Sequence, residues 1–299
     1  METRSLMGAV NQESIDDVRE VNQLVEWVLN DRIGRLERRF EGDVITFIGP
    51  LEIETDDHVR DVVESMDRGA SRRRVVMLLT SEGGFIEVVH RMAETLRHYY
   101  EKVEFVVPNY AYSAGTVLVL SGDKVHMDYY SRLGPIDPQI VSGENLHPVP
   151  ALGYVEQYEK FVVKADEEEL NEAELEFFLE KFDPGVLELY EQERERAIGL
   201  LKKWLPRYMF KESGGSVKKK ETRADKIGEL LSDTDRWHTH NHGISMSVLR
   251  DELGLGVEDF GLDEVLSNAI RSYHQLITDY LVNLGGQGII HIKGELKHF

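Results

Sequence analysis

Three short apolar runs divide the first half of the chain: Val44-Ile45-Thr46-Phe47-Ile48, Val75-Val76-Met77-Leu78-Leu79 and residues 103–107. The middle run has no polar position, which is the pattern of a strand covered on both faces. Residues 56–66 separate the first two runs with helical spacing. After Gly83-Gly84, the set Phe85, Val88, Val89, Met92, Ala93 and Leu96 does the same between the second and third. Residues 124–127 predict one more short strand. Strands alternating with helices require crossover connections, so the expected core is a largely parallel α/β sheet.

The flanks are helical. Ile15, Val18, Val21, Val25, Val28 and Leu29 make residues 15–33 an amphipathic helix, fit to pack on its own domain or on a neighbouring subunit. Residues 152–210 are glutamate-rich helix, interrupted at Asp183-Pro184-Gly185. Residues 211–223 hold Ser213-Gly214-Gly215-Ser216 and three consecutive lysines, the composition of an exposed flexible loop. Helices are expected at 224–231, 246–253 and 262–284. The expected division is an N-terminal helical segment (1–40), a catalytic core (41–150) and a helical C-terminal part (151–299).

Charge narrows the partners. The formal net charge of -20 repels nucleic acid and anionic membranes alike. There are no cysteines, so thiolate catalysis and disulfides are excluded. No apolar run approaches the roughly 18 residues of a membrane span, and the first residues lack a signal-peptide core. A cytoplasmic protein with no membrane span is expected.

Two turns carry chemistry. Ser81-Glu82-Gly83-Gly84 leaves the second strand, and Pro108-Asn109-Tyr110-Ala111-Tyr112-Ser113-Ala114-Gly115-Thr116 opens an apolar helix. A hydroxyl on a turn of small residues, with a diglycine turn to supply amides, is what acyl transfer needs: a nucleophile and an oxyanion site. Taken alone, Ser-Ala-Gly is equally a helix N-cap.

Together the motifs resemble a known family. Ser81-Glu82-Gly83-Gly84 is similar to the oxyanion turn of the ClpP/crotonase superfamily. Tyr112-Ser113-Ala114-Gly115-Thr116 resembles the nucleophile turn of its proteases. Leu133-Gly134-Pro135-Ile136-Asp137-Pro138-Gln139 resembles the serine dehydrogenase proteinase branch, relatives of the serine–lysine signal peptide peptidases. The likeness covers roughly residues 43–160 and resumes at His240-Asn241-His242-Gly243-Ile244.

The resemblance implies a ClpP/crotonase-like core of ββα units with a largely parallel sheet, and helical additions at the N-terminus and after residue 150. It implies Ser113 as nucleophile, with the amides of Gly84 (or Gly83) and Ala114 as the oxyanion hole. Phe85, Tyr112, Gly134 and Pro135 are the expected substrate contacts. The base transfers less directly. The Clp subunit's histidine, about 25 residues past its serine, has no counterpart, because Ile136-Asp137-Pro138 stands there. The signal peptide peptidases use a lysine further on, which points to Lys160, with Lys164 one helical turn beyond.

A lysine base working near pH 7 needs its pKa lowered by about 3.4 units, roughly 4.6 kcal/mol. Burial supplies shifts of about 3–5 units. His240 and Asp137 are the other runners-up, with Asp137 either orienting a base or capping a turn. His126 and His147 are further possible bases. His238, His240 and His242 alternate and would share one side of a strand, a geometry that suits zinc. The resemblance is to a non-metal segment, so no metal or cofactor is expected.

The expected activity is peptide-bond hydrolysis through an acyl-enzyme on Ser113, acting on peptides or unfolded proteins. The resemblance further implies a homo-oligomer, with an unfoldase as a possible partner. Two alternatives stand beside it. One is a non-catalytic assembly or regulatory protein that has lost the base. The other is a crotonase-like acyl-CoA enzyme, for whose phosphates the core offers little beyond Arg72-Arg73-Arg74.

Overall fold

The computed structural model describes residues 12–66, 73–136, 139–141, 148–167, 169–182, 184–237 and 243–299. The chain enters through α1 (Gln12–Phe40), then builds β1 (Asp43–Ile48), α2 (Thr55–Ser65), β2 (Arg74–Thr80), α3 (Ile86–Tyr99), β3 (Lys102–Val106), β4 (Tyr110–Ala111), α4 (Ala114–Val119) and β5 (Lys124–Met127). Short strands β6 (Arg132–Leu133), β7 (Gln139–Val141) and β8 (Pro148–Pro150) lead into α5 (Ala151–Asp166), α6 (Glu172–Lys181), α7 (Pro184–Arg207), α8 (Val217–Leu231) and α9 (Thr234–Trp237). The chain ends with β9 (Ile244–Ser245), α10 (Met246–Asp251), β10 (Val257–Asp259), α11 (Glu264–Leu284) and the hairpin β11 (Ile289–Ile292) and β12 (Glu295–His298).

The main sheet runs β10-β5-β3-β2-β1-β11-β12. Its first five strands are parallel, and the β11–β12 hairpin adds antiparallel to β1. Strand alternation sorts the side chains into two cores. Ile45, Phe47, Val75, Met77, Leu79 and Phe105 face α2, α3, α4, α7 and α8. Val44, Ile48, Val76, Leu78 and Val106 face α1 and α11. This three-layer arrangement is the largely parallel α/β fold expected.

Three local expectations need correction. The glutamate-rich stretch breaks twice, because Asn171 closes a capping box with Glu174 and starts α6 as a separate helix. The loop expected over 211–223 is helical from Val217. Ser216 caps that helix by accepting from the Lys219 N–H, and Ala224, Ile227 and Leu231 bury one face while the lysines face water. The C-terminal hairpin was not anticipated at all.

The layer at α11 holds one fully buried histidine, His291, and one half-buried, His274. His291 Nδ1 lies 2.7 Å from the Tyr273 hydroxyl, itself 2.7 Å from Thr46 Oγ1, and His274 Nε2 lies 2.9 Å from Thr80 Oγ1. Burial pushes both imidazoles down from 6.5 to about 4. Their folded values lie below the unfolded one, so the unfolded chain binds more protons between pH 6.5 and 4. Native stability is therefore full above pH 6.5 and falls as the pH drops toward 4. Each histidine is expected to remove about 2 kcal/mol between pH 8 and 5. Urea unfolding at the two pH values measures this, and His274→Gln should shrink the difference by half. An unfolding free energy that is flat across the window would contradict it.

Candidate functional site

The two sequence motifs meet at the C-terminal ends of β2 and β3. Ser81 bridges in parallel to Ala111: the Ser81 N–H donates to the Tyr110 carbonyl at 3.2 Å and the Tyr112 N–H to the Ser81 carbonyl at 2.9 Å. The diglycine turn is fastened on its other side by Leu51. The Leu51 N–H donates to the Gly83 carbonyl and the Phe85 N–H to the Leu51 carbonyl, both at 2.8 Å. The Gly83 N–H is taken by Ser81 Oγ at 3.1 Å. Among the described residues, the amides of Gly84 and Ala114 have no acceptor.

Ser113 sits between β4 and α4 with φ 52 and ψ -122, a region that L-residues rarely adopt. Such a conformation costs about 1–3 kcal/mol and persists only where surrounding structure enforces it. Here the Gly115 N–H donates to the Tyr112 carbonyl, and the Thr116 and Val117 N–H groups to the Ser113 carbonyl. The side chain makes no capping hydrogen bond, so the N-cap alternative is gone. A Cβ at Gly83 would lie 2.8 Å from Ser113 Cβ and 3.3 Å from the Ala114 nitrogen, so the diglycine turn abuts the serine directly.

Gly84 is irreplaceable for a different reason. At φ +149 its Cβ would fall 2.2 Å from the Leu51 carbonyl oxygen. Gly84→Ala must break the Leu51 bridge and swing the Gly84 amide away. Hydrolysis is expected to fall by about 10²–10³, the usual cost of one lost oxyanion donor, as measured by kcat/KM on a fluorogenic peptide. Unchanged turnover would remove Gly84 from the site.

The serine turn rests on Thr116 and Gly134. Buried Thr116 donates to the Ala111 carbonyl at 2.8 Å or the Gly134 carbonyl at 2.9 Å, and accepts from the Gly134 N–H at 3.0 Å. A small sheet, β4-β6-β9, aligns Ala111 with Leu133 and Leu133 with Ile244. Gly134 and Pro135 are buried, and both backbone polar groups of Gly134 engage Thr116. Gly134 supports the turn and packs beneath Tyr112, where a Cβ would meet the ring at 2.8 Å. Tyr112 stacks on Tyr110 at 4.9 Å, and burial raises both phenols. Phe85 is exposed beside Gly84.

The base candidates part company. Lys160 and Lys164 both lie exposed on α5. Lys164 pairs with Glu174 at 2.8 Å, and this bond holds its ammonium above the ordinary range, the opposite of what a base needs. His126 shares a sheet face with Val106, on the α1 side, and binds Glu104 at 2.8 Å. That face is opposite the one α4 covers, so His126 is not the base. Asp137, His147, His238, His240 and His242 lie outside the described residues. Among the described residues none hydrogen-bonds to Ser113 Oγ.

A polar cavity of about 390 Å³ opens at the far end of the sheet, lined by Arg39, Arg74, His126 and Glu258 among others. Seven residues of strand and turn, roughly 20 Å, separate Arg74 from Ser81. Of the arginines weighed for an acyl-CoA phosphate, Arg73 pairs with Glu101 at 3.0 Å and Arg74 with buried Glu104 at 2.5 Å. Arg72 lies outside the described residues.

A parallel α/β core with a strained serine turn against a diglycine turn defines a ClpP-like fold. Residues 37–176 match the family described as ClpP-like SDH-type serine proteinase, the one that its motifs resemble. Two curated relatives are uncharacterized proteins of Methanocaldococcus jannaschii. MJ0137 is 26% identical over 74% of this chain and 66% of its own length, and MJ1495 is 23% identical over 83% and 72%. Among solved structures, a mutant of the 1510-N membrane-bound stomatin-specific protease aligns with a TM-score of 0.44 and 13% identity, covering 74% of this chain and 81% of that one. No helix among the described residues is long and apolar enough to cross a membrane.

Proposed function

We propose that this protein is a serine peptidase that hydrolyses peptide bonds through an acyl-enzyme on Ser113. The observation that carries the reading is the strained Ser113 turn, packed on Gly83 and flanked by the unengaged amides of Gly84 and Ala114. In the first step Ser113 Oγ attacks the scissile carbonyl carbon and loses its proton to a base. The carbonyl oxygen becomes an oxyanion held by the Gly84 and Ala114 N–H groups. Collapse expels the amine, which takes the proton, and water then hydrolyses the ester by the same route.

Lys160 is the proposed base, with His240 its competitor. Lysine serves only when desolvated, and Lys160 is exposed in the single chain. The reading therefore includes a homo-oligomer in which a second copy covers α5. The first half of α1 presents Val21, Leu24 and Trp27 to solvent and is a further proposed contact. Substrates are proposed to be peptides or unfolded segments of cytoplasmic proteins, with an unfoldase as supplier for folded ones. Reaction with a fluorophosphonate probe, followed by mass spectrometry of the digest, tests the reading: the adduct should map to Ser113. A chain that hydrolyses casein peptides while Ser113 stays unmodified would refute it.

A further inference from the structure

We propose that copies of this chain join head to tail, the lysine-bearing first turn of α8 in one copy docking on the outward face of α6 in the next. This contact rests on the homo-oligomer of the reading above and adds the two surfaces that join its copies.

The receiving face is apolar and only half covered. Between α5 and α6 lie the rings of Tyr158, Phe161, Phe178 and Phe182, with neighbouring centroids 4.8 to 6.2 Å apart. They belong to neither core of the main sheet, and all four are half-buried. On α6, Glu172, Leu175, Glu176 and Leu179 follow one another at the i, i+3, i+4, i+7 spacing of a single helix face. Leu175 is 45% exposed and Leu179 71%. Among the described residues no ion pair involves Glu172 or Glu176. An exposed apolar stripe carrying unneutralised carboxylates suits a partner with an apolar tip set among cations.

The chain carries that partner itself. The first turn of α8 presents Val217, 68% exposed, beside Lys218, Lys219 and Lys220, and it holds no acidic residue. The positive end of a helix dipole disfavours cations, so these lysines weaken α8 in the single chain. Among the described residues none of them forms an ion pair. Lys220 Nζ donates to the Lys211 carbonyl at 2.8 Å, which fixes the turn just past the C-terminal end of α7. Phe182 stands just before the N-terminal end of the same helix. The 24 residues of α7 span about 36 Å. The two surfaces therefore lie at opposite ends of one helix and meet only between copies. Such a contact is heterologous: each copy gives its lysines to one neighbour and its α6 face to another. The neighbour also reaches α5, the helix of Lys160, because the shared rings hold α5 against α6.

Sedimentation velocity of the full chain tests the contact. Lys218→Glu/Lys219→Glu and, separately, Glu172→Lys/Glu176→Lys should each weaken self-association on the order of 10²-fold, because like charges then face each other. An equimolar mixture of the two variants should recover assembly, since each meets the opposite charge on its neighbour. The lysine reversal also takes cations away from a helix N-terminus, so its urea midpoint should hold or rise while its assembly fails. Misfolding does not give that combination. Should Glu172→Lys/Glu176→Lys lower the midpoint, Glu176→Lys alone, outside the first turn of α6, takes its place in the mixture. The contact is overturned by either variant assembling as the wild type does, by a mixture that stays dissociated, or by a wild-type chain that is monomeric. Fluorophosphonate labelling of Ser113 is read on the same wild-type samples. A label without assembly overturns the contact and leaves the nucleophile in place, whereas assembly without a label overturns only the peptidase reading.

Discussion

Ser113→Ala is expected to abolish fluorophosphonate labelling and to lower peptide hydrolysis on the order of 10⁴–10⁶-fold, the scale on which serine hydrolases lose rate without their nucleophile. A second substitution at the same position separates chemistry from architecture. Ser113 is held at φ 52, ψ -122, and alanine, which keeps a Cβ, retains that strain. Glycine relieves about 1–3 kcal/mol of strain and gives back about 0.5–1 kcal/mol through the entropy of its unfolded chain. Ser113→Gly should therefore be inactive yet more stable than Ser113→Ala by about 0.5–2 kcal/mol. Urea unfolding of the two variants at one pH reads the difference. Equal stabilities would mean that the turn stores nothing and that its geometry is incidental. A dead but stabilised variant is the expected mark of a site where folding energy has been traded for placement of a reactive group.

Much of this site was legible before any coordinates. The run from Val75 to Leu79 has no polar residue, and a strand covered on both sides buries all five of these side chains by sending them alternately to its two faces. The pairing of a diglycine turn with a serine turn was visible as spacing, and the two turns do meet. What spacing does not encode is the competition for hydrogen bonds. Gly83 and Gly84 look alike in the sequence, but Ser81 Oγ takes the Gly83 amide and leaves Gly84 free. Nor does composition reveal amphipathic faces that begin inside a charged run, which is how the lysines of α8 were mistaken for a loop. The β11–β12 hairpin was hidden because His291 breaks an apolar run, and its burial depends on Tyr273, eighteen positions away. The general base stayed open for the same reason. A nucleophile is recognised from its own turn, whereas its base is chosen by the fold at a distance.

The base is where the next large effect is expected. Lys160→Ala should reduce turnover by about 10²–10⁴, the contribution of a positioned proton acceptor, without altering the far-UV circular dichroism. Lys164→Ala should have little effect, because its ammonium is held charged by Glu174 and a charged amine accepts no proton. A lysine base acts unprotonated, so wild-type turnover should climb with pH, and this ascending limb should vanish in Lys160→Ala. Exposure of Lys160 adds a condition. Water around an ammonium favours its charged form, and in the proposed oligomer cover from another subunit removes that water. Turnover per chain should therefore increase with protein concentration in parallel with assembly, followed by light scattering. Normal turnover in Lys160→Ala, together with loss in His240→Ala, would transfer the role to the histidine. The concentration dependence would then have no reason to follow desolvation, and a histidine base would place the ascending limb near its own ordinary titration, around pH 6.5.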